Sequence, residues 1–296
     1  MLEKKLIQHL EDPEVHEWGI DAAVLRLDTL HPVVSGNKIF KLKHYLKEAI
    51  RLQKQSIISF GGAFSNHLVA TAFAAKENNM LSIGFVRGEA PQNLSDSLME
   101  CKEYGMQLNY LSRTSFDKID LESFSAAHPD SMVIPHGGYG KLGVEGAKEI
   151  MEIPGVEKFD TIMAACGTGT MAAGLLSGLA AHQQLLLVSV LKNNFSIVDE
   201  VDQLLRHVEN KSRRVEYAFD HHAGGYAKQN KALLETMNHF YAMHGIPTDF
   251  VYTGKLVHAF YSMLRAGKFK AGSKLLLIHS GGLQGNRSLK NNELKF

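Results

Sequence analysis

Cysteine is almost absent, with Cys101 and Cys166 the only two in 296 residues. Two thiols cannot build a disulfide framework, and neither lies at the spacing of a metal knuckle, so both are expected to be reduced. A dominant charge sign is missing as well: 32 Lys+Arg against 31 Asp+Glu leaves a formal net charge of +1. No global field would draw the chain to nucleic acid or to an anionic membrane, and a small-molecule function fits better. Long apolar runs are lacking too. The most apolar stretches, such as Leu185 to Leu191, are far too short to span a bilayer, and the start Met1-Leu2-Glu3-Lys4-Lys5 has no signal-peptide core. The expectation is a cytoplasmic protein with neither a membrane nor a nucleic-acid partner. Fifteen histidines invite a metal reading, but His221-His222 is the only adjacent pair and no His-Glu-x-x-His helix is found. Scattered surface and core histidines, and no metal, are expected.

What the chain does have is ordinary globular content, 45% hydrophobic and 21% charged, over a length that suits two compact domains or one large one. Apolar strand patterns and amphipathic helix patterns alternate: strands at residues 23–28, 56–60, 81–86, 107–111, 132–134, 161–165, 185–191 and 275–278, with helices between most of them. Such alternation predicts an α/β fold of mainly parallel sheets with helices on both faces. Ligands in such folds bind where strand ends meet helix starts.

Three stretches carry candidate chemistry. In Gly36-Asn37-Lys38-Ile39-Phe40-Lys41-Leu42, Asn37 reads as a helix N-cap, and the spacing of Ile39, Leu42, Leu46 and Ile50 predicts an amphipathic helix. Lys38 and Lys41 would then share a face, each lowering the other's proton affinity, as a carbonyl-attacking amine requires. Spacing alone is weak evidence, and for these residues by themselves two solvated surface lysines are the favoured reading. The second stretch, Gly61-Gly62-Ala63-Phe64-Ser65-Asn66-His67, links a buried strand to a helix that is apolar nearly all round. Ser65 and Asn66 are either plain caps or donors to an anion in the crevice. The third, Cys166-Gly167-Thr168-Gly169-Thr170, follows a strand and opens a small-residue helix. It is either a phosphate cup or a tight turn, and it is neither a Walker loop nor a full dinucleotide fingerprint. Downstream, Tyr226 and Tyr252 lie in glycine-flanked segments, and the strand 275–278 ends in His279-Ser280-Gly281-Gly282.

Taken together, from about Leu25 to Gly282, these motifs resemble the 1-aminocyclopropane-1-carboxylate deaminase / D-cysteine desulfhydrase family. These are pyridoxal-phosphate enzymes of the tryptophan synthase β-like fold (fold type II). The resemblance implies two open α/β domains, a larger cofactor domain (1–44 and 143–296) interrupted by a smaller one (45–142), usually in a homodimer. It implies that Lys38 is the Schiff-base residue and that Lys41 neighbours the cofactor's phosphate, which Gly167, Thr168, Gly169 and Thr170 cup. Asn66 would bond the phenolic oxygen, Ser65 the substrate carboxylate, with His67 beside them, and Tyr226 and Tyr252 would be the active-site tyrosines. Deaminases of the cyclopropane substrate typically carry glutamate after the second tyrosine and leucine before the last Gly-Gly. Thr253 and Ser280 stand there instead, as small hydroxylated residues do in desulfhydrase-like members, and the resemblance implies that both bind the cofactor. The expected activity is elimination from a small amino acid, D-cysteine to a 2-oxo acid, ammonia and sulfide. Deamination of 1-aminocyclopropane-1-carboxylate and a non-catalytic cofactor-binding or regulatory role are the alternatives. Phe64, His136 and Met171 depart from the family's usual glutamine, glutamate and threonine.

Overall fold

The computed structural model describes residues 6–206, 208, 214–290 and 293–296. The start Met1 to Lys5 lies outside them. Ten strands are described: β1 Ile7–His9, β2 Asp21–Arg26, β3 Ser56–Gly61, β4 Leu81–Arg87, β5 Met106–Leu111, β6 Ser131–Ile134, β7 Thr161–Cys166, β8 Gln184–Ser189, β9 Val215–Ala218 and β10 Lys274–His279. The α-helices are α1 Pro13–Glu17, α2 Asn37–Arg51, α3 Asn66–Glu77, α4 Asp96–Glu103, α5 Arg113–Asp117, α6 Leu121–Ala127, α7 Lys141–Lys148, α8 Thr170–Gly178, α9 Ile197–Leu205, α10 Lys231–His244 and α11 Thr253–Arg265.

The strands form two sheets. The larger runs β1-β2-β10-β7-β8-β9 and the smaller β5-β4-β3-β6. Every pairing is parallel except β1 with β2, as the strand–helix alternation predicts. The smaller sheet takes its strands from residues 56–134, and the larger takes them from both sides of that stretch.

Burial of β7 on both faces explains its apolar run. Ile162, Ala164 and Cys166 pack into a core with α7, α8 and α9, while Met163 and Ala165 point the other way, toward Phe240 of α10 and Leu256 and Phe260 of α11. In the smaller sheet, α2 and α3 cover one side through Leu42, Tyr45, Ala70 and Ala74. On the other side Phe60 and Phe85 stack 5.6 Å apart, with Phe116 and Phe124 edge-on against Phe60.

Several elements differ from the sequence expectation. One helix expected from Ser115 is two short ones, α5 and α6, each opened by its own side-chain cap, Ser112 and Asp120. The helix expected at 144–151 ends at Lys148 and tightens into a 3-10 turn, Glu149–Glu152. Strands β1 and β9 and helices α1, α10 and α11 are additional to the expected set.

Candidate active site

Five strand ends meet at one cavity of about 260 Å³ between the two sheets. The segments following β3, β6, β7 and β10 line it directly, and β2 leads through a short loop to α2, which supplies Asn37, Lys38 and Lys41. Residues 62–67, His136-Gly137, 167–169 and Ser280-Gly281 complete most of the wall. Lys38, Lys41, Ser65, Asn66, His67, Gly167, Thr168, Gly169, Tyr226, Tyr252 and Ser280 all line this cavity. Thr170 and Thr253 do not. Thr170 is buried in the first turn of α8, its hydroxyl 3.5 Å from that of Thr168. Thr253 faces Asp249, to which its hydroxyl donates at 2.8 Å.

Asn37 is not the N-cap of α2. Gly36 occupies that position, at φ 65° and ψ −140°, and the Asn37 N–H donates to the Ser280 carbonyl at 3.0 Å. The Asn37 side chain turns inward instead. It accepts from Lys38 Nζ at 2.7 Å and donates to Met171 Sδ at 3.2 Å. Burial pulls the Lys38 ammonium down to about 8, opposed by the nearby Asp249 carboxylate. Lys41, 4% exposed, is held well below its ordinary range by burial and then by Lys38, so the expected mutual effect falls mainly on Lys41. Its Nζ reaches one acceptor among the described residues, the Gly137 carbonyl at 3.3 Å. A buried amine with no carboxylate beside it among the described residues needs an anionic ligand to hold its charge.

On the facing wall, Ser65 caps α3 by accepting the Leu68 N–H at 3.2 Å. That bond uses an oxygen lone pair and leaves the hydroxyl hydrogen free, so the cap and a carboxylate contact are compatible. Gly61 is required here, because a Cβ on it would lie 2.5 Å from Ser65 Oγ. Asn66 Nδ2 donates to the Gly282 carbonyl at 3.1 Å, while its buried Oδ1 has no partner. His67 bonds Ser59 Oγ through Nε2, and its buried Nδ1 is also without a partner. Burial, then Lys38, His136 and Lys41, keep His67 well below its usual range, so it is neutral at pH 7. His136 is lowered by burial and then by Lys38, Lys41 and Arg87.

Pyridoxal phosphate fits these residues. Lys41, the first turn of α8 with no side-chain cap, and the 167–169 backbone suit a phosphate; Lys38 suits an aldehyde; and the orphaned atoms of Asn66 and His67 await polar partners. The pyridoxal-phosphate dependent enzyme model matches residues 8–281. The chain belongs to this family. The enzyme is 28% identical over 318 residues to an Arabidopsis thaliana mitochondrial bifunctional D-cysteine desulfhydrase/1-aminocyclopropane-1-carboxylate deaminase, covering 94% of this chain and 78% of that one. It is 29% identical to a Pseudomonas syringae pv. tomato 1-aminocyclopropane-1-carboxylate deaminase, covering 84% and 82%. The crystal structure of an ACC deaminase homologue superposes with TM-score 0.82 at 26% identity, covering 95% and 90%. The enzyme thus has the tryptophan synthase β-like fold and stands among the 1-aminocyclopropane-1-carboxylate deaminase and D-cysteine desulfhydrase relatives. No described helix is long and apolar enough to cross a membrane.

Sequence reasoning passed over Asp249, a cavity-lining carboxylate that is almost fully buried. Its Oδ2 accepts the N–H groups of Val251 and Tyr252 at 3.0 Å each, and its Oδ1 accepts the N–H and hydroxyl of Thr253. Burial raises its pKa, and the bonds from Thr253 and Tyr252 oppose that rise. The available signal was an aspartate just ahead of an apolar helical period, the pattern of a helix start.

Proposed function

We propose that the enzyme removes the amino group of a small amino acid with pyridoxal phosphate bound at Lys38, and that its reaction is a D-cysteine desulfhydrase-like elimination. One observation carries the reading: an amine depressed to about 8 lies in the cavity beside the start of α3. When bound, the cofactor supplies an electron sink for charge developing at the substrate's α-carbon. Lys38 would hold the cofactor, and its amine would serve as the base for the α-proton. Ser65 donates its free hydroxyl hydrogen to the substrate carboxylate, and Asn66 and His67 lie alongside. Lys41 and the 167–170 segment hold the phosphate. Tyr252, kept protonated by burial and by Tyr226, donates a proton to the departing thiol. Water then completes conversion to a 2-oxo acid and ammonia. Ser280, a cavity-lining hydroxyl, supports elimination; Thr253 supports it less directly, since its hydrogen is committed to Asp249.

The second reading, ring-opening deamination of 1-aminocyclopropane-1-carboxylate, is favoured by the names of the relatives. Measuring 2-oxo acid formation from D-cysteine, L-cysteine and the cyclopropane acid separates the two. Pyruvate from D-cysteine is expected, and turnover of the cyclopropane acid alone would replace the first reading with the second. We further propose a cytoplasmic homodimer built from units 1–44 with 143–296 and 45–142. Light scattering that returns a monomer at micromolar concentration would remove the dimer.

The depressed amine also sets a pH dependence. Below about pH 8 Lys38 is protonated and cannot attack the cofactor's aldehyde. Recombination of apoprotein with pyridoxal phosphate, followed by visible absorbance, should speed up by about tenfold per pH unit up to that point and level off above it. A rate still climbing past pH 10 would show an ordinary lysine.

A further inference from the structure

Twelve residues, 219–230, join β9 to α10 with neither helix nor strand, and they carry Tyr226 and Ala227 into the cavity wall. Four of five consecutive positions there have positive φ: Ala223 at 50°, Gly224 at 95°, Gly225 at 123° and Ala227 at 49°. Two of these are alanines, whose Cβ disfavours that backbone. Tyr226 is 53% exposed and meets Tyr252 edge to face at 6.1 Å, too little packing to fix the segment by burial. Phe219 stacks on Tyr217 and Ala223 packs beside Met237, but the strained turn at 223–227 persists only if something else over-determines it.

That something is a buried cation. Lys255, 0% exposed in the first turn of α11, donates Nζ to the Gly225 carbonyl at 2.6 Å and to the Val190 carbonyl at 3.2 Å. Among the described residues no carboxylate lies within ion-pair distance of it; Asp249 favours its charge from farther off, and its hydrogen bonds go to two backbone oxygens. Burial of an ammonium whose direct partners are carbonyls is unfavourable compared with an apolar side chain of that size. What it achieves is geometric, tying the residue before Tyr226 to the end of β8. We propose that Lys255 is a positioning residue that holds the 219–230 loop, and with it the Tyr226 ring, against the active-site cavity. The same seven-residue stretch therefore sets both tyrosines: Asp249 fixes the Tyr252 backbone and Lys255 fixes the approach to Tyr226. The role of Tyr226 rests on the function proposed above, whereas the hold on the loop does not.

Lys255→Met holoenzyme tests this by amide hydrogen exchange. Exchange across 219–230 should rise by about tenfold or more while α8 and the central strands keep their protection. On D-cysteine, kcat should fall by about 10- to 100-fold with the cofactor's visible band unchanged, and the loss should shrink when Tyr226→Phe is already present. Unchanged loop exchange overturns the proposal, and so does a uniform loss of protection over the whole chain. If the methionine variant does not accumulate, Lys255→Leu, which likewise removes the N–H donors, takes the same measurements. A loosened loop with full turnover keeps the clamp and removes the catalytic part assigned to Tyr226.

Discussion

Lys38→Ala should yield a colourless protein, without the visible, borohydride-sensitive band that wild type shows with pyridoxal phosphate. Turnover of any amino acid should fall by a factor on the order of 10⁴–10⁶, because one side chain serves both as anchor and as base. The fold should survive the change. Lys38 Nζ has one hydrogen bond, to its neighbour Asn37, and its ammonium is disfavoured by burial. The sign of the stability effect follows from linkage. The native pKa of about 8 is below the unfolded value of 10.5, so between those pH values the unfolded chain binds more protons and apoprotein stability rises with pH. Wild-type apoprotein should therefore be less stable than Lys38→Ala at pH 7, by on the order of 1–3 kcal/mol, with the gap closing above pH 10.5. A normal visible band in the variant would sink the assignment, and an identical pH–stability curve for both apoproteins would sink the depressed amine.

The parts of this site that were legible in the sequence are those whose partners are close in the chain. Ser65 caps the helix it precedes, and the 167–170 loop opens the helix it touches, so local pattern was enough. Lys38 and Lys41 share a helical face for the same reason. Asn37 was misread as a cap because its true circumstances lie about 240 residues away, where the Ser280 carbonyl takes its N–H and Gly36 makes the turn. Thr253 was placed at the cofactor, but its hydroxyl hydrogen goes to Asp249, a carboxylate whose only local mark was its place ahead of a helical period. Lys255 carries no local signal, because its partners come from the residue after β8 and from a loop without regular structure. Strand β9 escaped because it is four residues long and none of them is fully buried, which leaves almost no hydrophobic period to detect. Long-range polar contacts decide the chemistry here, and they have no periodicity.

The same long-range seam makes Gly36→Ala the most damaging of the small substitutions. A Cβ at position 36 would lie 1.7 Å from the Ser280 carbonyl oxygen and 2.6 Å from the Gly281 Cα, both backbone atoms that cannot rotate away. The φ of 65° adds a penalty for any side chain. Backbone strain and forced separation each cost about 1–3 kcal/mol, so a loss of about 3 kcal/mol or more is expected. For a chain of this size that lowers Tm by roughly 6–12 °C. The functional effect should be larger still. Gly36 precedes the helix that aims Lys38, and Ser280 and Gly281 line the adjoining wall, so separating them opens the cavity at its cofactor side. Affinity for pyridoxal phosphate should drop together with Tm, and added cofactor should recover only part of the loss. Gly62→Ala, at a position where a Cβ meets nothing within 4 Å, supplies the contrast and should leave stability within about 1 kcal/mol of wild type. Equal thermal shifts for the two variants would mean that the contact between residues 36 and 280 does not hold the two ends of the chain together.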